Sequence, residues 1–395
     1  MAHFRPPLLL VSTALLVVLL AGCFPSTNPS APAAQPTAAA TVSAAAKPAS
    51  STAPTVAVSP VAGASPVARA SPVVAASPAV AVKAATSGAR KSAKLTLNFL
   101  AGGPQAGFMY AKKLGYYDQA GVDLTIEEGQ GSATTAQLVA TGGTQLGYSD
   151  APSVMQVRSK GGADKIVAVI LQTNAFAIIS LQAKNITKPT DLVGKTLAVQ
   201  PGTAQTALLD AVFAANNLDQ KQVNVVNLDP SALVGSLLQG SVDAILAGAD
   251  FQSVQIRDRG AQINELFYRD IGIPTVGLSV VANDNLIQSD PDLVRNFVAA
   301  SLRGWDAARQ HPDEAAQAVV EQFVSGDKNQ ILQQLQVDLQ FMCAPGADKV
   351  GMPPDKNWPL TFDLLTKYGL LPADKPVTEY YTNQFIPQDA PVCPK

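Results

Sequence analysis

Glu128-Gly129-Gln130-Gly131-Ser132-Ala133-Thr134-Thr135-Ala136-Gln137-Leu138-Val139-Ala140-Thr141-Gly142-Gly143-Thr144-Gln145-Leu146-Gly147-Tyr148-Ser149-Asp150 is the stretch that decides the fold. Glycines bracket a run of small and apolar residues. It therefore reads as a strand end, a glycine turn, a helix, a glycine stop and a second strand ending in Tyr148-Ser149-Asp150. A glycine turn that opens a helix leaves backbone N–H groups unpaired, with Ser132 as a candidate cap. Such an end can hold an anionic or hydrogen-bond-accepting ligand or merely join two elements.

Outward from this stretch, strands and helices alternate. Residues 95–100 alternate apolar and polar side chains as a half-buried strand does, and Ala101-Gly102-Gly103-Pro104 turns the chain into a helix ending near Tyr117. A strand at 122–127, a helix at 152–160 and a strand at 165–171 complete the first set. A second set echoes it: strands at 176–182, 196–199, 223–228, 242–246 and 263–268, with helices opening at Pro201-Gly202-Thr203-Ala204 and at Pro230. After an apolar run at 275–281 the pattern is mainly helical, at 290–309, 312–323, 328–341 and 359–368. Alternation of this kind specifies an α/β chain with doubly wound sheets, whose ligands collect at the carboxyl ends of the strands. The chain is expected to cross between two lobes near 178–183 and 272–278. Lobe one then comprises 93–180 and 275–395, and lobe two 181–274. Paired crossings make a hinge that can close on a ligand.

The N-terminus carries Arg5, an apolar run at 8–20 and then Leu20-Ala21-Gly22-Cys23. A basic start, a short apolar core and small residues describe a secretory signal, too short for a typical membrane span. Its ending resembles the bacterial lipobox. This implies that 1–23 is a lipoprotein signal peptide with lipobox, that Cys23 carries the lipid, and that the protein is anchored outside the cytoplasmic membrane. Residues 24–92 are rich in Ala, Pro, Ser, Thr and Val, with Ser-Pro pairs at 59, 65, 71 and 77. Proline at six-residue intervals sustains no helix and leaves few large side chains to bury, so this segment is expected to be a disordered or extended tether.

Charge and composition exclude several functions. All 30 acidic residues lie at or beyond Asp118, against 22 of the 28 basic residues beyond position 92, a balance unsuited to nucleic acid. His3 and His311 are the only histidines, so neither a zinc centre nor a Ser-His-Asp triad can be assembled. Gly194-Lys195-Thr196 mimics the end of a phosphate-binding loop, but it precedes a strand instead of following one. Gly129-Gln130-Gly131 lacks the third glycine of a dinucleotide fingerprint. No enzyme activity, metal or cofactor is expected. Cys343 and Cys393 are expected to form a disulfide in an oxidising exterior, the alternative being two buried thiols.

Gly115-Tyr116-Tyr117-Asp118 with Gly121-Val122-Asp123-Leu124 resembles the "KGYY…GLDV" run of the SsuA/THI5-like (NMT1-like) substrate-binding proteins of ABC importers. Gly129-Gln130-Gly131-Ser132 followed by Gln137-Leu138-Val139-Ala140-Thr141-Gly142 is similar to that family's "GGSS…LVASG". Asp191-Leu192-Val193-Gly194-Lys195-Thr196 is similar to "DLKGKK", residues 283–298 to "NPDLVRRFV", and Tyr381-Thr382-Asn383-Gln384-Phe385-Ile386-Pro387 to "YTNEFLP". The resemblance spans nearly all of 95–387. It implies a type II periplasmic-binding-protein fold, two doubly wound lobes on a two-strand hinge. It also implies a monomer that delivers a small molecule to a membrane permease driven by a cytoplasmic ATPase. Family ligands include thiamine-precursor pyrimidines, riboflavin, aliphatic sulfonates, taurine and nitrate. The C-terminal motif leans towards pyrimidines and flavins, whereas the loop 98–104 lacks the Trp of the pyrimidine binders' "W.PN". A related fungal branch makes the pyrimidine with a cysteine-rich motif and a histidine, neither of which this chain has.

The candidate ligand contacts are Asn98 and Gly102 in the first loop, Gly131 and Ser132 in the glycine turn, and Tyr148, Ser149 and Asp150 at the next strand end. Asn174 and Phe176 follow near the first crossing, and Gly202, Thr203, Ala204 and Asp250 come from lobe two. None is basic, so a strongly anionic ligand would have to rely on helix ends, while a neutral or heteroaromatic one could stack on Tyr148, Phe176, Phe251 or Tyr268; Tyr148 and Phe176 fit a core position equally well, and Phe251 and Tyr268 fit one better. Asp150 also fits a helix cap. Ser132 and Thr203 are expected to face each other across the cleft. The alternative readings are a sulfonate, taurine or nitrate receptor, or a surface interaction protein on the same fold with its cleft filled by side chains.

Overall fold

The structure, a computed structural model, describes residues 89–323 and 326–394. The expected signal peptide, Cys23 and nearly all of the expected tether lie outside these residues. The first described strand, β1 (Lys91–Thr96), starts inside the span expected to be tether and overlaps the expected 95–100 strand only at Leu95 and Thr96. It is followed by β2 (Val122–Glu127), β3 (Leu146–Asp150), β4 (Asp164–Val169), β5 (Phe176–Leu181), β6 (Thr196–Val199), β7 (Asn224–Asn227), β8 (Ala244–Gly248), β9 (Ile263–Phe267) and β10 (Leu278–Asn283).

These strands form two five-stranded sheets, ordered β2-β1-β3-β10-β4 and β7-β6-β8-β5-β9. Sequence position explains their chemistry. Edge strand β2 alternates buried Val122, Leu124 and Ile126 with exposed Asp123, Thr125 and Glu127. Inner strand β3 is buried at all five positions because helices cover both faces. Each sheet is parallel except for one strand that enters just after a lobe crossing: β10 runs antiparallel to β3 and β4, and β5 antiparallel to β8 and β9. The lobes thus repeat one plan. Carboxyl ends of β1 and β3 in one lobe, and of β6 and β8 in the other, carry the loops that meet between them.

The first crossing differs from expectation. β5 belongs wholly to the second sheet, so the chain changes lobe at 170–175 and not at 178–183. Residues 176–180 therefore belong to lobe two. The reason is register: Phe176 to Leu181 pair with β8 and β9 along their full length, an interaction that local pattern does not reveal. The second crossing occupies 268–277. The two crossings pair with each other, Gly277 N donating to Leu171 O at 3.1 Å and Asn174 Nδ2 to Thr275 Oγ1 at 2.5 Å.

The C-terminal third, expected in lobe one alone, packs on both lobes. In helix Asn357–Lys367, Trp358 sits among Val154, Ile166 and Val281 of the first lobe. Leu364 and Leu365 join Phe176, Leu208 and Phe213 of the second. Cys343 and Cys393 form a disulfide, 50 residues apart, that ties the tail beside the first-lobe core. Cys343→Ser with Cys393→Ser should lower unfolding free energy by about 2–4 kcal/mol, seen as a lower midpoint in urea with a steeper slope, because the denatured chain loses its cross-link and expands.

Candidate ligand-binding site

Glycine geometry brings the lobes together. Gly131 has φ +129° and Gly202 φ +78°, backbone that favours glycine, and the two turns touch directly. Ala133 N donates to Gly202 O at 3.1 Å, and Gln200 Nε2 to Gln130 O at 3.3 Å. A third wall comes from helix Lys328–Asp338. It reaches lobe one through Gln334 Oε1, which accepts from Gly103 N at 3.0 Å, and lobe two through Gln330 Nε2, which donates to Asp258 Oδ2 at 3.0 Å. Phe99 of the first lobe meets Phe251 of the second edge-on, with ring centres 5.3 Å apart.

Between these walls lies a cavity lined by residues of both lobes and of the hinge. Lobe one supplies Asn98, Phe99, Gln105, Ser132 and Asp150; lobe two supplies Gln200, Thr203, Asp250, Phe251 and Gln252; Asn174 and Phe176 stand at the hinge. Among the described residues no Lys, Arg or His lines it.

The carboxyl groups dominate its electrostatics. Asp150, 3% exposed, accepts at Oδ2 from Ser132 Oγ at 2.8 Å, and no hydrogen bond among the described residues uses its Oδ1. Burial pushes its carboxyl up to about 7, the Ser132 bond working against this and the Asp250 charge adding to it. Asp250 is raised to about 6 by burial, partly offset by the neighbouring Asp338 carboxyl. Asp338 is wholly buried and is held well above the usual carboxylate range by burial and then by the charge of Asp250. Burial and these three carboxyl groups likewise raise the Tyr148 phenol, whose hydroxyl has no hydrogen-bond partner among the described residues.

The cleft gathers Asn98, Gly131, Ser132, Asp150, Asn174, Phe176, Thr203 and Asp250 of the sequence candidates. Tyr148, Ser149, Gly102, Gly202 and Ala204 do not line it. Tyr148 packs against Phe108 at 4.8 Å in the first-lobe core, because β3 is buried on both faces. Ser149 Oγ donates to Ser132 O. Gly202 instead lets the two turns touch, Gly102 leaves room for the side chains of Gln334 and Phe251, and Ala204 is part of the second-lobe core. A Cβ on Gly102 would sit 2.7 Å from Gln334 Oε1 and 2.8 Å from the Phe251 ring. Tyr268 is also core, its hydroxyl donating to Gln205 O. Ser132 is the first residue of its helix and not its cap, which is Gly131. Asp150 holds the N-cap position of the next helix, but its side chain caps nothing. Ser132 and Thr203 do line one cavity, although Thr203 Oγ1 is occupied with Gln200 O and Thr206 N of its own lobe.

Phe99, Gln200 and Gln252 were not foreseen, nor was Asp338 behind the cavity. Ile331, Gln334, Leu335 and Asp338 recur at helical spacing on one buried face, so two polar residues at core positions were a readable signal.

The NMT1/THI5-like family model matches residues 104–315, more than half of the chain. The chain belongs to the NMT1/THI5-like family. Within it, the riboflavin-binding protein RibY of Chloroflexus aurantiacus is 27% identical over 71% of this chain and 82% of its own length. The formylaminopyrimidine-binding protein of Halalkalibacterium halodurans is 25% identical over 53% and 64%. One relative at 19% identity, over 77% of this chain and 95% of its own, is named as a 4-amino-5-hydroxymethyl-2-methylpyrimidine phosphate synthase of Legionella pneumophila. Among solved structures, the alkanesulfonate-binding protein SsuA of Xanthomonas axonopodis pv. citri superposes with a TM-score of 0.58 at 17% identity, covering 75% of this chain and 99% of that one. The NMT1/THI5-like chain therefore has the type II periplasmic-binding-protein fold, two α/β lobes on a paired hinge.

Proposed function

We propose that this protein is the lipid-anchored receptor of an ABC importer and captures a small heteroaromatic nutrient of the pyrimidine or flavin kind between its lobes. The observation that carries this reading is the interlobe cavity, flanked by Phe176, Phe251 and Phe99, rich in amide side chains and without a basic residue. Aromatic walls and amides suit a flat ring with donor and acceptor edges. A sulfonate or nitrate would face two carboxyl groups with no basic side chain in the lining to offset them, which disfavours the anion alternative. The riboflavin- and pyrimidine-binding relatives support the same ligand class.

Among the described residues no group of three or more His, Cys, Asp or Glu could hold a metal, and no helix is long and apolar enough to cross a membrane. Membrane attachment in this reading is through a lipid on Cys23, and Cys23→Ser should abolish incorporation of labelled fatty acid into the chain. Delivery to a permease and its ATPase follows from lobe closure over the ligand.

Thermal melts of the purified chain with riboflavin, 4-amino-5-hydroxymethyl-2-methylpyrimidine, taurine and nitrate test the ligand class. A ring compound at a hundredfold over Kd should add about 2.7 kcal/mol, while the two anions leave Tm unchanged. A panel with no shift would remove the receptor reading, and chemical change of a bound ring on prolonged incubation would replace it with catalysis.

A further inference from the structure

We propose that the cleft selects a flat ring with a positively charged, donor-rich edge, an amidinium or a protonated aminoheterocycle, clamped between Asp150 of the first lobe and Asp250 of the second. This deepens the receptor reading above and rests on it.

Three observations converge. Both carboxyl groups line the cavity, at 3% and 8% exposure, and they come from opposite lobes. Asp150 is held in position by Ser132 through one oxygen, which leaves Oδ1 without a donor. The charged and titratable groups that bear on the pair are Asp338 from helix Lys328–Asp338 and Tyr148 from β3; both are acids, and no base stands among them. Ser132 at Asp150, and the Asp338 carboxyl with the backbone N–H groups of Asp250 and Phe251 at Asp250, offset only part of the cost of burial, and none of them brings a positive charge. A carboxylate buried without a cationic partner is strongly disfavoured, and a ligand that brings the missing positive charge removes that penalty at both ends. Phe176 and Phe251 add ring faces suited to a flat cation.

Position on opposite lobes gives the arrangement a second consequence. Two like-charged carboxylates resist approach, whereas a cation between them is attracted to both. Differential affinity for the closed form is what shifts a hinge equilibrium, so this ligand class couples capture to closure. The same arrangement links binding to protons. As pH falls through about 7 and then about 6, Asp150 and Asp250 take up protons in the unliganded protein, and a bound cation displaces them.

Three probes with one ring and different charge test the proposal on the purified full chain by isothermal titration: benzamidine, benzamide and benzenesulfonate. At pH 8 benzamidine should bind at least tenfold more tightly than benzamide, and benzenesulfonate should not bind. Between pH 8 and pH 5.5 the benzamidine affinity should fall at least fivefold, although the probe itself stays charged. Asp150→Asn and Asp250→Asn should each erase most of the preference for benzamidine. Asn mimics a protonated carboxyl in shape, and the preference of the unaltered protein is read without either variant. Equal or tighter binding of benzamide or benzenesulfonate would overturn the proposal. So would stabilisation by riboflavin or the pyrimidine with no binding of benzamidine, an outcome that leaves the receptor reading standing. If no compound of either panel binds, both fall together.

Discussion

Gly131→Ala is expected to cost the protein its ligand-binding cleft, with affinity for any compound that stabilises the unaltered chain falling roughly a hundredfold or more. A Cβ at this position would lie 2.4 Å from Gly202 O and 2.9 Å from Gly202 C, on the opposite lobe. Backbone atoms cannot rotate away as a side chain can, so the turns must part and break the contacts Ala133 N to Gly202 O and Gln200 Nε2 to Gln130 O. Alanine is also strained at φ +129°, at about 1–3 kcal/mol. Loss of the closed form enters the affinity directly, since a ligand that needs closure binds only the fraction that can close. Gly142 supplies the control. Its φ is +77° and a Cβ there meets nothing within 4 Å, so Gly142→Ala carries local strain and no obstruction between the lobes. Titration calorimetry should show wild-type affinity for Gly142→Ala. Equal affinities for both variants would mean that the contact between turns is not part of the binding form.

The unliganded protein is expected to lose stability as pH rises from about 4 to 7. Asp150 and Asp164 are raised to about 7, and Asp250 to about 6, in each case chiefly by burial. A carboxyl raised on folding binds its proton more tightly in the folded state. Its contribution is therefore complete below the unfolded value near 4 and is lost as pH passes through the folded value. Asp191, Asp243, Asp290 and Glu321 act in the opposite direction: hydrogen bonds hold them low, and their contribution disappears in more acidic solution. Stability should therefore peak in mildly acidic solution. Asp150→Asn removes one titrating group while keeping a polar partner for Ser132. Between pH 5 and 8 it should reduce the decline by about 2 kcal/mol, measured by urea unfolding at each pH. Identical slopes for variant and wild type would show that Asp150 does not titrate on folding. Ligand of the proposed cationic class should oppose the decline, because it stabilises the ionised carboxyls that the unliganded cleft disfavours.

Local chemistry made much of this molecule readable. Glycine turns at Gly131 and Gly202, the proline-opened helix at Pro230 and the alternation of β2 follow from backbone freedom, ring closure and one-sided burial, and all of these are properties of short segments. The two-lobe α/β plan followed because strands and helices must alternate along the chain to build such sheets. Absence of basic residues among the cleft candidates was visible in the same way, and the cavity lining retains it.

Tertiary structure alone decided which of these segments meet. Tyr148 and Asp150 lie two residues apart on β3, yet one is core and the other faces the cavity. At a strand buried on both faces the periodicity carries no information about which side holds ligand. The lobe change at 170–175 depended on the pairing of β5 with β8 and β9, contacts between residues far apart in the chain. Asp338 comes to stand behind Asp250 through the packing of a helix from the far end of the chain. Sequence determined the turns, the alternation and the missing positive charge, because each is local or additive. Only the folded chain placed Asp150, Asp250 and Asp338 together, because burial and charge proximity arise from the three-dimensional approach of separate elements.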